Sequence, residues 1–303
     1  MSLLVTGTIG IDSIETPTQK QEGVVGGSCA HFAAAASLYG PVRLVAAVGG
    51  DWPESHRQAL MRFTNIDMAG LDERPQGRTF AWGGKYLDDV NQRETLYTEL
   101  GVLEEAPPEV PAAFQDSEVV FLANSHPAEQ LTMLERVPGQ KFCVADTMNL
   151  WISIAQAELR TLLERVDGLV LNDQEAIELT GCSNAVSAAD AILEMGPSFV
   201  VVKKGEHGCL LRSKDRTAVL PAFPARQQDV VDPTGAGDSF AGGMMGHVAL
   251  QNDYSFETLR EALAWGTITA SFAIQDFGLG GLTGITADDL RNRLSEFREF
   301  TSF

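Results

Sequence analysis

Two kinds of hydrophobic pattern alternate along this chain, and the alternation restricts its fold more than any other feature. Short apolar runs, typical of buried strands, are separated by segments in which apolar residues recur at helical spacing. The pattern predicts strands at residues 3–7, 42–48, 119–122, 142–145, 168–171 and 199–203, and helices at residues 29–38, 54–63, 129–136, 156–165, 184–195, 236–250, 255–275 and 287–297. It therefore predicts βαβ units and an α/β fold, with a mostly parallel sheet covered by helices on both faces.

One segment interrupts this alternation. Residues 78–100 alternate with a period of two, which is typical of strands, on either side of a polar turn at residues 88–91. The pattern predicts a β-hairpin with Phe80, Trp82 and Tyr86 on one face.

Composition limits the classes of partner. The chain has 303 residues, is 44% hydrophobic and carries a net charge of −19. Its length suits one large α/β domain with an appendage. The acidic balance and the lack of any basic run argue against nucleic acid or an anionic membrane as a partner. A phosphate-bearing ligand would need a locally positive pocket, supplied by helix ends, a few Lys or Arg and a metal ion.

The cysteines and the N-terminus indicate the compartment. Cys29, Cys143, Cys182 and Cys209 lie far apart, without a C-x-x-C pair. This spacing favours free thiols in a reducing compartment over zinc ligands or disulfides. The first residues form a predicted strand, with neither a basic region nor a long apolar core. We therefore expect no signal peptide, no membrane span and a cytoplasmic location.

The strongest chemical signal is the stretch from Asp232 to Asp238, with the sequence Asp-Pro-Thr-Gly-Ala-Gly-Asp, where a helix is predicted to start. Gly235, Ala236 and Gly237 have little or no side chain, so an anion can approach their backbone N–H groups at the positive end of the helix. Asp238 would ordinarily be a helix cap. Beside a phosphate cradle, however, a carboxylate is suited to take a proton from an alcohol during phosphoryl transfer.

Spacing argues against two other classes of glycine-rich loop. The P-loop string G-x-x-x-x-G-K-[ST] does not occur in the chain, and a dinucleotide fingerprint would need a third glycine where Phe240 stands. The loop also lies late in the chain, whereas that fingerprint usually follows the first strand of its domain. A dinucleotide-dependent oxidoreductase is therefore disfavoured.

The stretch from Asp232 to Gly243 resembles the C-terminal signature of the PfkB/ribokinase family of carbohydrate and nucleoside kinases. Matching pieces follow the family's order at residues 7–12, 26–27, 172–175 and 204–208. The resemblance implies a ribokinase-like three-layer α/β/α fold in a single domain of residues 1–303. It also implies a small β-sheet lid, formed by about residues 76–102 and part of 11–26. The implied activity is that of an ATP-dependent kinase, with Asp238 as general base and residues 235–238 as an anion hole.

On the nucleotide side, Asn172 and Glu175 lie on one face of a helix start, where oxygen ligands suit Mg²⁺. Taken alone the pair would be a capping box, whereas the resemblance implies an indirect role toward the metal. The resemblance further implies nucleotide contacts from Asn172, Lys204, Gly205, Gly208, Thr234 and Gly237. The turn at 204–208 would otherwise be a simple β-turn. Asp232 and Thr234 either hold the turn of their loop or, as in some relatives, join a site for a monovalent cation such as K⁺.

On the acceptor side, the resemblance implies that Asp12 binds sugar hydroxyls, since a carboxylate can accept two hydrogen bonds. Its alternative is a turn aspartate. Gly26 and Gly27 match the family's substrate-side loop, but His31 stands where many members have Asn. His31 then either contacts the substrate through a ring nitrogen or packs on its helix.

The remaining acceptor candidates come from the hairpin and from strand ends. Trp82 and Tyr86 are expected to stack on an acceptor ring, although lid aromatics can equally form a homodimer clasp, with Phe80 at the interface. Asn124 and Asn149 each follow a central strand, at the edge where open α/β sheets bind ligands. Most polar residues in such positions are caps.

Together these features predict an ATP:alcohol phosphotransferase that uses Mg²⁺ and acts on a small polyol, either a sugar, a nucleoside or a cyclitol. A phosphorylated acceptor would need dedicated cations, and the hairpin offers only Arg78, Lys85 and Arg93. We therefore expect an uncharged acceptor. The alternative is a non-catalytic sugar- or nucleotide-binding regulatory protein on the same fold, which would have little need to keep Asp238 and its loop.

Overall fold

The computed structural model describes residues 2–87 and 93–302. The hairpin turn predicted at residues 88–91 lies outside the described residues. Within them the strands are β1 (Leu3–Thr6), β2 (Gly10–Glu15), β3 (Lys20–Gly26), β4 (Val42–Gly49), β5 (Ile66–Arg74), β6 (Phe80–Tyr86), β7 (Arg93–Glu99), β8 (Val119–Leu122), β9 (Phe142–Asp146), β10 (Gly168–Asn172), β11 (Phe199–Lys203), β12 (Cys209–Ser213) and β13 (Thr217–Leu220).

The helices connect these strands and form the C-terminal part of the chain. They are α1 (Ser28–Ser37), α2 (Glu54–Met61), α3 (Pro127–Glu135), α4 (Asn149–Ile154), α5 (Gln156–Leu163), α6 (Asp173–Thr180), α7 (Ala185–Leu193), α8 (Ala236–Gln251), α9 (Phe256–Ala273) and α10 (Ala287–Thr301). In the described part of the chain, no helix combines the length and apolar character needed to cross a bilayer.

The larger sheet has nine strands in the order β13-β12-β11-β10-β9-β8-β1-β4-β5. The strands from β11 to β5 along this order are parallel, whereas β12 and β13 form an antiparallel extension at one edge. The mostly parallel sheet predicted from the hydrophobic pattern is thus confirmed. Its parallel strands all end at the same edge, where open α/β sheets place their ligands.

Neighbouring residues of a strand point to opposite faces of this sheet. Helices cover both faces, so residues on each side are buried. Leu3 and Val5 of β1 belong to a core that includes Phe32 of α1 and residues of α8, α9 and α10. Leu4, between them, belongs to a second core that includes Leu159 of α5 and residues of α3, α6 and α7. The predicted three-layer α/β/α fold is confirmed.

The smaller sheet forms the lid. Its four strands lie in the order β3-β2-β6-β7, with β2 parallel to β6 and the two outer pairs antiparallel. Asp12 of β2 is in register with Trp82 of β6. Between Gly83 and Gly84 the pairing of β6 with β7 shifts by one residue, which leaves Leu96 as an extra residue in β7, whereas β6 keeps an unbroken register with β2.

Close packing of α8 fixes the position of the segment that precedes it. A Cβ on Gly242 would come within 2.5 Å of the Phe32 carbonyl oxygen in α1, and one on Gly243 within 2.4 Å of Thr269 Oγ1 in α9. Larger residues at these positions would push the three helices apart. The start of α8 is therefore held at a fixed place beside the sheet.

Candidate active site

The glycine loop, residues 232–238, leads directly into α8. Gly235 has φ of +73°, in the left-handed region that favours glycine, and stands at the N-cap position. In the described part of the chain no side chain caps this helix start, so the N–H groups of its first turn are available to an anion. Asp238 lies in that first turn and is half-buried.

Asp232 holds the beginning of the glycine loop. Its side chain is 1% exposed, and its two oxygens accept hydrogen bonds from the backbone N–H of Thr234 (2.8 Å) and of Gly278 (3.4 Å). Burial raises the pKa of this carboxyl, and the Thr234 bonds oppose the rise. This geometry favours the turn-holding role of Asp232 over a role as a cation ligand.

Asp12 meets the glycine loop from the lid. It is 3% exposed, and its carboxylate lies against Gly26, where a Cβ would come within 2.0 Å of it. Burial, followed by the charges of Asp232 and Asp238, raises the pKa of Asp12 to about 8, while the Gly27 N–H opposes the rise. Asp12 Oδ1 has no hydrogen-bond partner among the described residues. A buried polar atom of this kind marks a place for a ligand group.

His31 forms the floor of the glycine loop. Its ring is buried, and a Cβ on Gly235 would lie 2.3 Å from the Nδ1 atom. Burial lowers the pKa of His31, against the charges of Asp238 and Asp232. Within the described chain neither ring nitrogen has a hydrogen-bond partner. His31 therefore both packs under the loop and keeps two polar atoms for a ligand.

Lys203 is a site residue that sequence reasoning missed. It ends β11, and its Nζ lies 2.9 Å from the position of a Cβ on Gly237 and 4.0 Å from Asp146 Oδ2. Burial alone would lower the pKa of Lys203, but Asp146, Asp238 and Glu175 outweigh it and raise that pKa. The sequence signal that could have identified Lys203 is a charged residue that directly follows an apolar run typical of a buried strand. At the end of such a strand, Lys203 places a cation at the ligand edge of the sheet.

Asn172 and Glu175 form the capping box at the start of α6. Asn172 Oδ1 accepts from the Glu175 N–H (2.7 Å), and Glu175 Oε2 accepts from the Asn172 N–H (2.8 Å). Glu175 is 5% exposed, and burial raises its pKa while Lys203 opposes the rise. The capping role is therefore present, and the same carboxylate also faces the charges of the site.

The lid contributes a second group that sequence reasoning did not assign. Arg93 lies at the exposed edge of β7, yet its guanidinium is 5.5 Å from the centre of the Trp82 ring and hydrogen-bonded to the Tyr86 hydroxyl. Its charge also acts on Glu175 and Asp238. The Tyr86 ring is 5% exposed and its hydroxyl accepts from Thr234 Oγ1 (3.0 Å), whereas Trp82, the other residue expected to stack on an acceptor, is half-buried.

Two predicted acceptor residues are engaged with neighbouring side chains instead. Asn124 accepts from Trp151 Nε1 (2.9 Å) and donates to Met148 Sδ (3.1 Å). Asn149 donates to Glu178 of α6. Both amides are thus engaged with side chains outside the glycine loop, and their contact with an acceptor stays a prediction.

The turn after β11 has a structural reason for its glycines. Lys204 N–H donates to the Gly208 carbonyl (2.8 Å), and Gly205 and Gly208 have φ of +54° and +87°. A Cβ on Gly208 would come within 2.0 Å of the Leu220 carbonyl oxygen. This turn follows Lys203 directly, and the predicted contacts of Lys204, Gly205 and Gly208 with a nucleotide stay predictions.

The arrangement combines a carboxylate, an anion cradle and cations. Asp12, His31, Lys203 and Glu175 all interact electrostatically with Asp238, and His31 and Lys203 also lie against Gly235 and Gly237 of the loop. Among residues 2–87 and 93–302 no three acidic, His or Cys side chains are grouped as a metal site. The oxygens of Asn172 and Glu175 nevertheless fit Mg²⁺, which usually keeps several waters and meets substrate phosphates.

Known proteins resemble this chain in sequence and fold. The model of the family described as pfkB family carbohydrate kinase matches residues 11–283. The cytidine kinase of Thermococcus kodakarensis is 31% identical over 251 residues, which cover 81% of this chain and 87% of that protein. The structure of Burkholderia thailandensis nucleoside kinase in complex with inosine has a TM-score of 0.78 and 20% identity, covering 99% of this chain and 98% of that one. A structure of an E. coli protein named as a ribokinase II, with ATP and Mg²⁺, has a TM-score of 0.77 and 18% identity, covering 97% and 99%.

Proposed function

The chain belongs to the pfkB family of carbohydrate kinases, and we propose that it transfers the γ-phosphoryl group of ATP to a hydroxyl of an uncharged nucleoside. As a member of the family it is an ATP-dependent phosphotransferase with an alcohol group as acceptor, of the kind that acts on sugars and nucleosides. The observation that carries the proposal is the position of Asp238, in the first turn of α8, beside the buried Asp12 and His31.

In the proposed reaction Asp238 is the general base. The acceptor oxygen forms a bond to the γ-phosphorus while the bond from that phosphorus to the bridging oxygen of ADP breaks. The acceptor proton passes to the Asp238 carboxylate, which needs to accept it only late in a loose transition state. The backbone N–H groups at residues 235–238 face the charge on the transferred group, and they are aligned before the reaction starts.

Cations of this chain complete the phosphate site. Lys203 at Gly237 and Arg93 at the lid are the two cations whose charges act on Asp238, so we assign them to the phosphate oxygens. Asn172 and Glu175 would hold Mg²⁺ through water. When bound, Mg²⁺ neutralises part of the charge of the ATP phosphates.

Charge pairing in the lid supports an uncharged acceptor. Lys85 is paired with Glu15 (2.7 Å) and Arg78 with Asp51 (3.6 Å), so neither is a spare partner for a second phosphate. A phosphorylated acceptor would also meet the buried carboxyl of Asp12. The likeness to the Thermococcus cytidine kinase supports a nucleoside among the uncharged acceptors.

Asp12 and His31 are the proposed acceptor contacts. A ribose diol donates to Asp12 and satisfies Oδ1, which otherwise has no partner in the described chain. A ring nitrogen of His31 meets a further polar group of the acceptor, in the place of the amide that many relatives carry. Gly26 and Gly27 let the acceptor approach, since any side chain at Gly26 would displace the Asp12 carboxylate.

The test is ADP release with Mg-ATP across cytidine, uridine, adenosine, inosine, ribose, fructose and myo-inositol, together with cytidine and ribose 5′-phosphates. We expect turnover with a nucleoside, and a loss of about 10²–10⁴-fold in the Asp238→Asn variant, the range of a general base. Nucleotide binding by calorimetry should be retained in the variant, because the carboxylate is not assigned to ATP.

Two results would reject parts of this proposal. Dominant turnover of a 5′-phosphate or of a free sugar would reject the uncharged nucleoside as acceptor. Near-native turnover of Asp238→Asn would leave Asp238 as a helix cap and remove it from the mechanism. None of the features described favours the alternative of a non-catalytic binding protein.

Two finer assignments stay predictions. The first is K⁺ at Asp232, where both carboxylate oxygens already accept backbone N–H groups. The second is a homodimer clasped through the lid, where Phe80 is half-buried and Leu96 and Tyr97 of β7 are 54% and 39% exposed.

A further inference from the structure

A hydrogen bond between the lid and the glycine loop links two parts of the site that are 148 residues apart in the chain. Thr234 Oγ1 donates to the Tyr86 hydroxyl at 3.0 Å. Tyr86 is the last residue of lid strand β6, and Thr234 immediately precedes Gly235 in the glycine loop. The tyrosine ring is buried and Thr234 is half-buried, so the bond is partly shielded from water.

This bond restrains the residue on which the geometry of the loop depends. The backbone N–H of Thr234 is fixed by Asp232 Oδ1 at 2.8 Å, and its side chain is fixed by Tyr86. Gly235 and Gly237 follow at once, and glycine has the greatest backbone freedom of any residue. Without a restraint on Thr234, the N–H groups that form the anion cradle would be free to shift, and such sites need alignment to about 0.5 Å.

The lid strands link the Tyr86 hydroxyl to two other groups of the site, Arg93 and Asp12. Tyr86 also accepts a hydrogen bond from Arg93 of β7, whose charge acts on Asp238. Strand β6 pairs with β2, which carries Asp12. The strand that holds the Thr234 contact is therefore paired with the strand that holds the proposed acceptor contact.

We infer that Tyr86 is a positioning residue, whose hydroxyl aligns the glycine loop for phosphoryl transfer when the lid lies over the acceptor. This inference rests on the proposed function, because it assigns the loop the role of an anion hole. It replaces the stacking role expected of Tyr86, whose ring is not free in this state. The hydroxyl that restrains the loop and the strand that carries Asp12 then belong to the same lid sheet.

The test is a double-mutant cycle with Tyr86→Phe, Thr234→Val and the double variant. Each single variant should lower kcat roughly two- to tenfold, the effect of one lost hydrogen bond, with a much smaller change in the KM for ATP. The double variant should lose no more than Tyr86→Phe alone, since that variant already lacks the Thr234 bond as well as the bond from Arg93. Losses that multiply in the double variant would overturn the inference.

Tyr97→Phe is the matched control. Tyr97 also lies in the lid, and its hydroxyl donates to Ser13 Oγ at 2.9 Å, within the lid sheet. It should leave kcat near the native value. An equal loss of kcat in Tyr97→Phe and Tyr86→Phe would show a general weakening of the lid and overturn the positioning role.

A second readout separates this inference from the proposed function. Hydrogen exchange of the 232–238 amides, measured without substrates, should speed up in Tyr86→Phe and Thr234→Val and stay native in Tyr97→Phe. If the native protein turns over no acceptor, the proposed function fails. The exchange result still shows whether the bond between Tyr86 and Thr234 restrains the glycine loop. Unchanged exchange in Tyr86→Phe would overturn the inference whatever the activity.

Discussion

The charge balance at the glycine loop depends on one residue, Lys203. Its ammonium group lies beside Gly237 and faces the carboxylates of Asp146, Glu175 and Asp238. Burial raises the pKa of Asp146 to about 7, with Lys203 opposing the rise. Taking Lys203 away would leave buried carboxyl groups without a cation, which is costly. The incoming phosphates would also lose a cation that lies beside the cradle.

Lys203→Met should therefore lower turnover by about 10²-fold or more, the usual loss when one group that stabilises transferred charge is removed. The KM for ATP should rise with it. Lys204→Met is the matched comparison, because it removes the same charge from the next residue, whose backbone N–H is held in the turn by the Gly208 carbonyl, and its loss should be much smaller. Initial rates at saturating acceptor measure both. Equal losses in the two variants would contradict the assignment of Lys203.

At the scale of the elements, the start of α6 serves two purposes that sequence alone could not separate. The capping box of Asn172 and Glu175 satisfies N–H groups that the helix leaves unpaired. The Glu175 carboxylate also interacts with the charges of Lys203 and Arg93. A cap needs only an oxygen acceptor, whereas a role toward Mg²⁺ needs the negative charge.

Glu175→Gln separates the two roles. The amide oxygen can still accept the Asn172 N–H, so the cap is kept and thermal stability should not fall below the native value. The lost charge should lower kcat and raise the Mg²⁺ concentration at half-maximal activity by severalfold.

The control is a second capping box, formed by Thr286 and Asp289 at the start of α10. Asp289→Asn makes the same chemical change there and should not alter the Mg²⁺ dependence. Native kcat and Mg²⁺ dependence in Glu175→Gln would leave Glu175 with the cap alone.

Elements with a strong pattern were predictable from sequence, and those with a weak pattern were not. The predicted parallel strands, and the predicted helices apart from the C-terminal end of α10, agree with the structure to within about two residues, but α4 was not predicted and only the start of α6 was. Strands β5, β12 and β13 were missed, because the exposed positions of β5 and β13 carry polar residues and β12 and β13 are only five and four residues long. Strand β3 is mostly exposed, and it was expected only through the resemblance.

The same limit applies to the site. Asp12, Gly26, Gly27, His31 and the glycine loop belong to short contiguous motifs, which a sequence displays directly. Lys203 and Arg93 belong to no such motif; they matter because β11 and the lid end near the glycine loop. The hydrogen bond of Tyr86 likewise depends on a contact across 148 residues. Sequence patterns give the chemistry of a segment but not the distance between segments.

On the scale of the whole molecule, the site buries several carboxyl groups within an already acidic protein, and their ionised form is unfavourable there. The net charge is −19, and burial raises the pKa of Asp12, Asp146, Glu175 and Asp232. Each of these carboxyl groups binds its proton more tightly in the folded protein than in the unfolded chain. Such groups make the free energy of unfolding fall as pH rises, so the substrate-free protein loses stability for the sake of its function.

Asp12 gives the clearest case, because its pKa is raised to about 8 from an ordinary value of 3.8. Its favourable contribution is fully present below about pH 4 and is lost as pH rises to about 8. Asp12→Asn removes this dependence. The variant should become more stable than native protein as pH rises, by up to about 1.4 kcal/mol for each pH unit between 5 and 8. Urea unfolding at pH 5, 6, 7 and 8 measures the difference.

Asp289→Asn provides a control with the opposite shift. Hydrogen bonds from Thr286 lower the pKa of Asp289 below its ordinary value, so this group is ionised in both folded and unfolded chains from pH 5 upward. The stability difference between Asp289→Asn and native protein should therefore be the same at all four pH values. The variant Asp12→Asn should also lose turnover, since Asp12 is the proposed diol contact, and gain stability in the same molecule. A pH-independent difference for Asp12→Asn would show that Asp12 is ionised in the substrate-free site. Any fall in the free energy of unfolding with rising pH would then come from the other buried carboxyl groups.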